Sequence, residues 1–371
     1  MEEPLWINIL FATSDTGKST TGINGQFVFS QLLIDCLLRL QSNEMDKKEL
    51  ISYCEKEYEN NRTELANLRE FEKNYSPDKA LWWYTCDSFF YKTLNAALRK
   101  QNFHMIFLYR SFISDMHRQL QHYQSKCSIR VYRSQLMSSD ELDYLQKSIG
   151  QFVSVNSFLS TSSQRQIADF YMGDRAQHMN LERVLFEIDA DPKVVTTKPF
   201  ADISMLSKFA DESEVLFMLG SIFRLNSINR DDNQIWIIGM SLSRDDEHSL
   251  KQVLRAMKKQ NGTGETSLCT FGKVLWKMGK FDLAKKYYIR WVSELSNSNP
   301  SLLTAYEDLA DIASQQNDYE ESVQWRQKLA NLKERMPLSK CQKIQTIKST
   351  YHDELKAILF SVNTISHFIR Y

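Results

Sequence analysis

Two hydrophobic periods divide this chain. In its middle, apolar residues alternate with polar ones in short runs; on both flanks they recur at helical spacing. The run Leu5-Trp-Ile-Asn-Ile-Leu-Phe-Ala reads as a strand, and residues 25–40 read as a largely buried helix. Residues 45–73 are dense in Lys and Glu with Leu50, Tyr53, Tyr58, Leu65 and Leu68 interspersed, the pattern of a solvated helix with opposite charges at neighbouring turns. Residues 82–123 are aromatic-rich and helical. In the middle, residues 128–134, 152–162, 183–189, 215–219 and 234–239 predict strands from their Val, Ile and Phe content, the second of them capped by the three hydroxyls of Ser160-Thr161-Ser162. Between them, residues 138–147 open with hydroxyl caps and early acids and end near Gly150, as a short helix should. Residues 163–171 predict a second helix that stops before Gly173, and the polar segment between Lys198 and Asp211 predicts a loop.

The last third changes register. A linking helix begins at Asp245, and Asn261-Gly-Thr-Gly264 makes a flexible linker. The stretch from Phe271 to Tyr288 then resembles a tetratricopeptide repeat: small Gly272 and Ala284 let two helices cross closely, and Phe281 and Tyr288 fill the gap. A looser copy follows, with Tyr319 standing 38 residues after Phe281, against a norm of about 34. Such units stack and carry no chemistry. Two of them need support from the preceding domain or from helices in residues 336–371, and they point to a protein partner or a target-docking surface.

Composition excludes some classes of function. Lys+Arg and Asp+Glu are each 46 in 371 residues, so no electrostatic argument favours nucleic acid as a partner. Six cysteines, Cys36, Cys54, Cys86, Cys127, Cys269 and Cys341, are scattered without the close pairs of a zinc site. Their spread suits a reducing compartment and leaves a disulfide open. His117 and His122 lie five apart, not the four that would stack two ligands on one helix face. No metal is expected. No apolar run approaches bilayer length and the first residues lack a basic signal region, so the expectation is a cytoplasmic protein without a membrane partner.

The chemistry concentrates in three places. Phe209-Ala-Asp-Glu-Ser-Glu-Val-Leu-Phe217 sets Glu212 and Glu214 two residues apart at the entrance to an apolar run. In an extended chain both would share one face, an arrangement suited to glycosidic-bond chemistry, although the pattern taken alone is more commonly a solvated strand start. Arg133 stands near the end of the strand at 128–134, and Ser160-Thr161-Ser162 closes another, 27 residues after Arg133. An arginine offers a planar fork to phosphate oxygens, or a neighbouring acid a partner. Strand-end hydroxyls can orient a ligand or make local turn bonds.

Arginine, Ser-Thr-Ser and Glu-x-Glu, in that order on successive strands, resemble the triad of arginine-specific mono-ADP-ribosyltransferases over residues 125–242. Most of that class read Tyr-Arg-Gly where this chain has Tyr132-Arg133-Ser134. The resemblance implies an α+β fold with mostly antiparallel sheets forming an NAD cleft. It implies transfer of ADP-ribose from NAD (NADP being an admissible co-substrate) to arginine on a protein substrate. By that resemblance the catalytic residues are Arg133, Ser160, Glu212 and Glu214. Arg133, Ser134, Ser160, Thr161, Ser162 and Glu214 would hold NAD. Glu212 would orient the acceptor guanidinium and take its proton, and Phe209 would touch the target protein or else act as a simple hydrophobic staple.

The expected organisation is an N-terminal, mainly helical region at 1–125, the catalytic domain at 126–245, a linker at 246–264 and helical repeats at 265–371. Two other readings stay open. One is a scaffold whose transferase-like domain binds NAD without turning it over. The other is a phosphate-loop nucleotidase, from Gly17-Lys18-Ser19 between a strand and a helix, although Thr20–Gly25 interposes a turn-rich stretch before that helix.

Overall fold

The computed structural model describes residues 5–10, 20–172, 181–193, 198–243 and 266–335. The phosphate-loop candidate at 12–19, the linking helix and linker at 245–264, and residues 336–371 lie outside the described residues. By contact the chain divides into two units, Met1–Ile34 with Ser42–Lys251, and Asp35–Gln41 with Gln252–Tyr371.

In the first unit the period-two segments join into one sheet. Its strands are β1 (Ile7–Leu10), β2 (Ile129–Ser138), β3 (Phe152–Val155), β4 (Leu159–Ser162), β5 (Leu181–Ala190), β6 (Phe200–Asp202), β7 (Glu214–Phe217), β8 (Ser221–Arg230) and β9 (Trp236–Leu242). Across the sheet they run β1-β3-β8-β9-β5-β2-β4-β7-β6. Only the β5–β9 pair is parallel among the described strands, which bears out the mostly antiparallel expectation. The core lies on the inward faces: Val131, Phe186, Ile188, Phe217, Phe223 and Ile238 are all within 2 % of full burial. Leu142 and Leu145 join this core from helix α8 (Ser139–Gln146). That helix starts where the sequence places it, with the Ser138 hydroxyl accepting from Glu141 N at 3.3 Å.

One seam of the sheet is nearly unpaired. β2 and β5 match along their whole length, from Ile129↔Ala190 to Ser138↔Leu181. β2 and β4 share a single pair, Tyr132↔Ser162. Arg133 and Ser134 of β2 and Ser160 to Ser162 of β4, on the two sides of this short pairing, line one cavity.

Helices α1 (Thr20–Arg39), α2 (Glu44–Glu57), α3 (Arg62–Asn74), α4 (Ala80–Thr85), α5 (Phe89–Arg99), α6 (Phe103–Leu108), α7 (Arg110–His122) and α9 (Arg165–Tyr171) complete the described helices up to residue 172. Residues 45–73 are therefore two helices rather than one. The break comes at Asn61, whose side chain accepts from Glu64 N at 3.1 Å and so caps a new start. Neither is solvated all round: Leu50, Cys54, Leu68 and Phe71 are buried. Residues 82–123 likewise form four helices, with Asn102 capping α6. Phe71 sits among Trp83, Phe89, Phe90 and Phe112 with ring centroids 5.1–5.4 Å away; the contacts with Trp83 and Phe89 are edge-on, a geometry that adds to area burial. Helices α2 and α7 also share a buried ion pair. Arg110 is 1 % exposed, lies 3.9 Å over the Phe107 ring, donates to Phe107 O at 2.9 Å and bonds the fully buried Asp46. The expected loop at 198–211 also contains structure, the edge strand β6, paired to β7 through Phe200↔Phe217.

The second unit is built from α10 (Leu268–Lys277), α11 (Phe281–Glu294), α12 (Ser301–Gln315) and α13 (Tyr319–Arg335). A Cβ on Gly272 would stand 2.9 Å from the Tyr288 ring, so the close crossing does require glycine. Each helix pair turns through a left-handed residue, Gly279 (φ 74°) in the first and Asn317 (φ 62°) in the second. Asparagine tolerates that conformation almost as glycine does, which is why the second copy looks looser in sequence and folds alike. The two pairs are joined by Tyr288 Oη donating to Asp308 at 2.9 Å and by Lys285–Glu321 at 2.7 Å.

No described helix is long and apolar enough to cross a membrane. For the helical part of the first unit, Asp46→Ala removes the carboxylate that the buried Arg110 guanidinium bonds. The expected loss is about 3–5 kcal/mol, read as a lowered urea midpoint with an unchanged slope.

Candidate active site

The strand β7 begins abruptly, and the reason is local. Ala210–Glu212 form one 3-10 turn, Ser213 takes the left-handed region (φ 48°, ψ 46°), and only at Glu214 does the chain become extended. The expectation that Glu212 and Glu214 share the face of one strand is therefore corrected. They converge because a turn folds Glu212 back, not through period-two geometry. Backbone and side-chain bonds hold that turn: Glu212 N to Phe209 O at 3.2 Å, Ser163 N to Ser213 O at 3.1 Å, and Gln164 Nε2 to Ser213 Oγ at 2.6 Å.

Both acids line one cavity of about 540 Å³, within the usual size range of small-molecule sites. Arg133 and Ser134 of β2, Ser160, Thr161 and Ser162 of β4, and Phe209 line it too, so every residue that the transferase resemblance singled out reaches the same space. Their geometry differs residue by residue. Glu214 pairs in register with Ser162, and the Ser160 hydroxyl, two residues along the neighbouring strand, reaches diagonally to donate to Glu214 Oε1 at 2.6 Å. The other two hydroxyls serve the backbone. Thr161 Oγ1 donates to Val215 O at 2.7 Å; Ser162 Oγ donates to Glu212 O at 2.8 Å and accepts from Gln164 N at 3.1 Å. Ser134 Oγ donates to Ala168 O at 2.6 Å, which pins α9 against β2. Arg133 bridges the open seam, its Nη1 donating to Ser160 O at 2.9 Å. Phe209 is 44 % exposed, too much for a packed staple.

Glu214 is buried to 8 % exposure. Burial pushes its carboxyl above the usual carboxylate range; the Ser160 hydroxyl opposes this, the Glu212 charge adds to it, and the Arg133 guanidinium again opposes it. Its Oε2 makes no hydrogen bond among the described residues. Glu212 is half-buried and accepts from Tyr171 Oη at 2.6 Å.

The sequence pointed to one wall of this cavity and missed the other. Tyr84, Thr85, Cys86 and Asp87, from the α4–α5 junction, line it together with Tyr91 of α5 and with Tyr171 of α9. Tyr84 is buried, donates to Asn95 Oδ1 at 3.2 Å and lies 5.2 Å from the Phe158 ring. Thr85 Oγ1 accepts from Lys208 N at 3.0 Å, tying the segment before the Glu212 turn to the helices. Nothing in an aromatic-rich helical stretch separates ring positions that face a core from those that face a cleft. Among the described residues no cluster of three or more His, Cys, Asp or Glu could hold a metal ion. Cys36, Cys54, Cys86, Cys127 and Cys269 are free thiols.

Ser160→Ala removes the hydrogen bond that favours the ionised Glu214. The Glu214 carboxyl should then titrate at higher pH than in the native chain, as followed by carboxyl-carbon NMR; an unmoved midpoint would show that the hydroxyl does not act on it.

Comparison with known proteins gives the site its context. The family model for NAD:arginine ADP-ribosyltransferase matches residues 37–247, and a tetratricopeptide repeat model matches residues 266–292. No curated protein matches by sequence. Similar solved structures include the ADP-ribosyltransferase Vis from Vibrio splendidus, with 21 % identity, a TM-score of 0.37, and 57 % of this chain covering 90 % of that one. Exoenzyme S from Pseudomonas aeruginosa is similar at 14 % identity and a TM-score of 0.34, over 53 % of this chain and 88 % of the other. HopU1 of Pseudomonas syringae pv. tomato DC3000 is similar at 16 % identity and a TM-score of 0.37, over 55 % of this chain and 99 % of the other. The family model spans more than half of the chain, through both walls of the cavity, and on that match the chain belongs to the NAD:arginine ADP-ribosyltransferase family.

Proposed function

We propose that this protein transfers the ADP-ribose of NAD to the guanidinium of an arginine on a protein substrate. The observation that carries the reading is the pair of carboxylates in one cavity, Glu214 buried on the Ser160 hydroxyl and Glu212 half-buried on the turn before it. The residues fit NAD as a substrate. Arg133 offers a permanently charged fork to its phosphates. Ser134, Thr161 and Ser162 line the same wall, their hydroxyls holding the local backbone.

In the proposed reaction Glu214 accepts a hydrogen bond from the hydroxyl of the nicotinamide ribose and faces the carbon whose bond to nicotinamide breaks. That bond's electron pair passes to the ring nitrogen, which becomes neutral, while positive charge grows on the sugar. A fixed carboxylate in a water-poor cavity stabilises such a charge strongly. Glu212 takes a proton from the acceptor guanidinium, freeing a nitrogen lone pair to bond the sugar carbon. The proton transfer is needed because a guanidinium has a pKa above about 12 and is not a nucleophile as it stands. Phe209, exposed on the same turn, is placed to touch the protein that carries the arginine. The helical repeats would supply a further protein-docking surface.

Two substitutions test the division of labour. Glu214→Gln keeps the shape and removes the charge, so both transfer to arginine and hydrolysis of NAD should fall by about 10²–10³. Glu212→Gln should stop arginine modification and leave slow hydrolysis of NAD to water running, because water needs little activation at such a centre. Both reactions are read on one sample, nicotinamide release by chromatography and arginine modification by mass spectrometry. Equal losses in the two reactions for Glu212→Gln would mean the acids act as one unit.

A further inference from the structure

Resting on the reading of Glu212 as the acceptor's carboxylate, we infer that Tyr171 is its positioning residue, and that the phenol hydroxyl decides how the reaction divides between arginine and water. The backbone of Glu212 is well held, by Ser162 Oγ on its carbonyl at 2.8 Å and by Phe209 O on its amide at 3.2 Å. These bonds do not hold the carboxylate. It stands at the end of a side chain with three rotatable bonds, on a turn rather than in a sheet, and free rotation would spread it over many positions. The hydrogen bond that fixes it among the described residues comes from another element: Tyr171 Oη donates to Glu212 Oε1 at 2.6 Å, the short length of a bond to a charged acceptor.

The donor is itself anchored. Its helix α9 is pinned to β2 by the Ser134–Ala168 bond at 2.6 Å, and Ala168 and Met172 pack on Leu185. Yet Tyr171 is 60 % exposed, so core packing does not account for the ring's placement. One oxygen of Glu212 is taken and Oε2 makes no hydrogen bond among the described residues. A guanidinium arriving at Oε2 meets a carboxylate already aimed, and loses less freedom in reaching the reacting geometry. Water, small and needing no fixed base, gains little from this.

The test uses the full chain with NAD and free L-arginine, measuring transfer and hydrolysis together in Tyr171→Phe, which keeps the ring and deletes the donor. The ratio of arginine transfer to hydrolysis should fall about tenfold, the value of one hydrogen bond to a charged group. A merely structural role would lower both reactions alike and leave the ratio in place, and an unchanged ratio overturns the inference. Glu212→Gln is run beside it to keep two failures apart. If Glu212→Gln destroys transfer while Tyr171→Phe leaves the ratio unchanged, the inference alone falls. If Glu212→Gln transfers normally, the assignment of Glu212 falls first and the inference with it.

Discussion

A carboxylate buried at the first residue of a strand is the constraint around which this site is arranged. Taking Glu214 out of water is costly unless something bonds it, and the Ser160 hydroxyl at 2.6 Å supplies that bond from the neighbouring strand. For the diagonal contact to exist, β4 and β7 must pair in one register, with Ser162 opposite Glu214. Thr161 strengthens the same register by donating to Val215 O. A slip of one residue would turn Ser160 to the other face and leave Glu214 buried without a partner. The opening that admits a ligand follows from the other edge of β4. It meets β2 through one residue pair, so the sheet can part there while staying continuous everywhere else.

The cavity's second wall depends on the helices. The α4–α5 junction is set by packing of Phe71, Trp83, Phe89 and Phe90 and by Glu64, whose carboxylate accepts from Phe89 N at 2.8 Å and pairs with Lys92 at 2.9 Å. From that rigid base Tyr84 to Asp87 face the strands. The bond from Lys208 N to Thr85 Oγ1 carries the same support to the segment that leads into the Glu212 turn. The family match begins at residue 37, so these helices belong to the matched stretch as fully as the strands do. In the second unit, Gly279 and Asn317 play one backbone role in two copies, which makes the repeat a matter of conformation more than of residue identity.

How much of this was legible depended on whether the signal was local. The strands carrying Arg133 and Ser160, the helix capped by Ser138, and the glycine crossing at Gly272 each follow from residues near one another in the chain. The division at Asn61 was missed because two amphipathic helices of similar composition read as one when the cap between them is a single asparagine. The short strand β6 was missed because Phe200-Ala-Asp has too few residues to show a period; it exists through its pairing with β7. The Glu-x-Glu spacing singled out two residues that do line one cavity, but by a geometry other than the expected one, since Ser213 adopts a left-handed conformation that non-glycine residues seldom take.

The sequence by itself determined the strand segments, the capped helix and the helical repeats, through hydrophobic period and cap residues, and three short motifs carried the family resemblance that implied the α+β class and mostly antiparallel strands; all are properties of neighbouring positions. Only the tertiary structure decided that Ser160 alone of three hydroxyls reaches Glu214, that Glu212 is turned back to the same cavity, and that Tyr84 to Asp87 and Tyr171 close it. Those outcomes depend on strand register, on one left-handed residue and on helices packed from elsewhere in the chain. The register and the helix packing join residues tens of positions apart, the left-handed residue is one that its own identity does not announce, and no local pattern specifies which of several chemically similar side chains the packing will bring to the site.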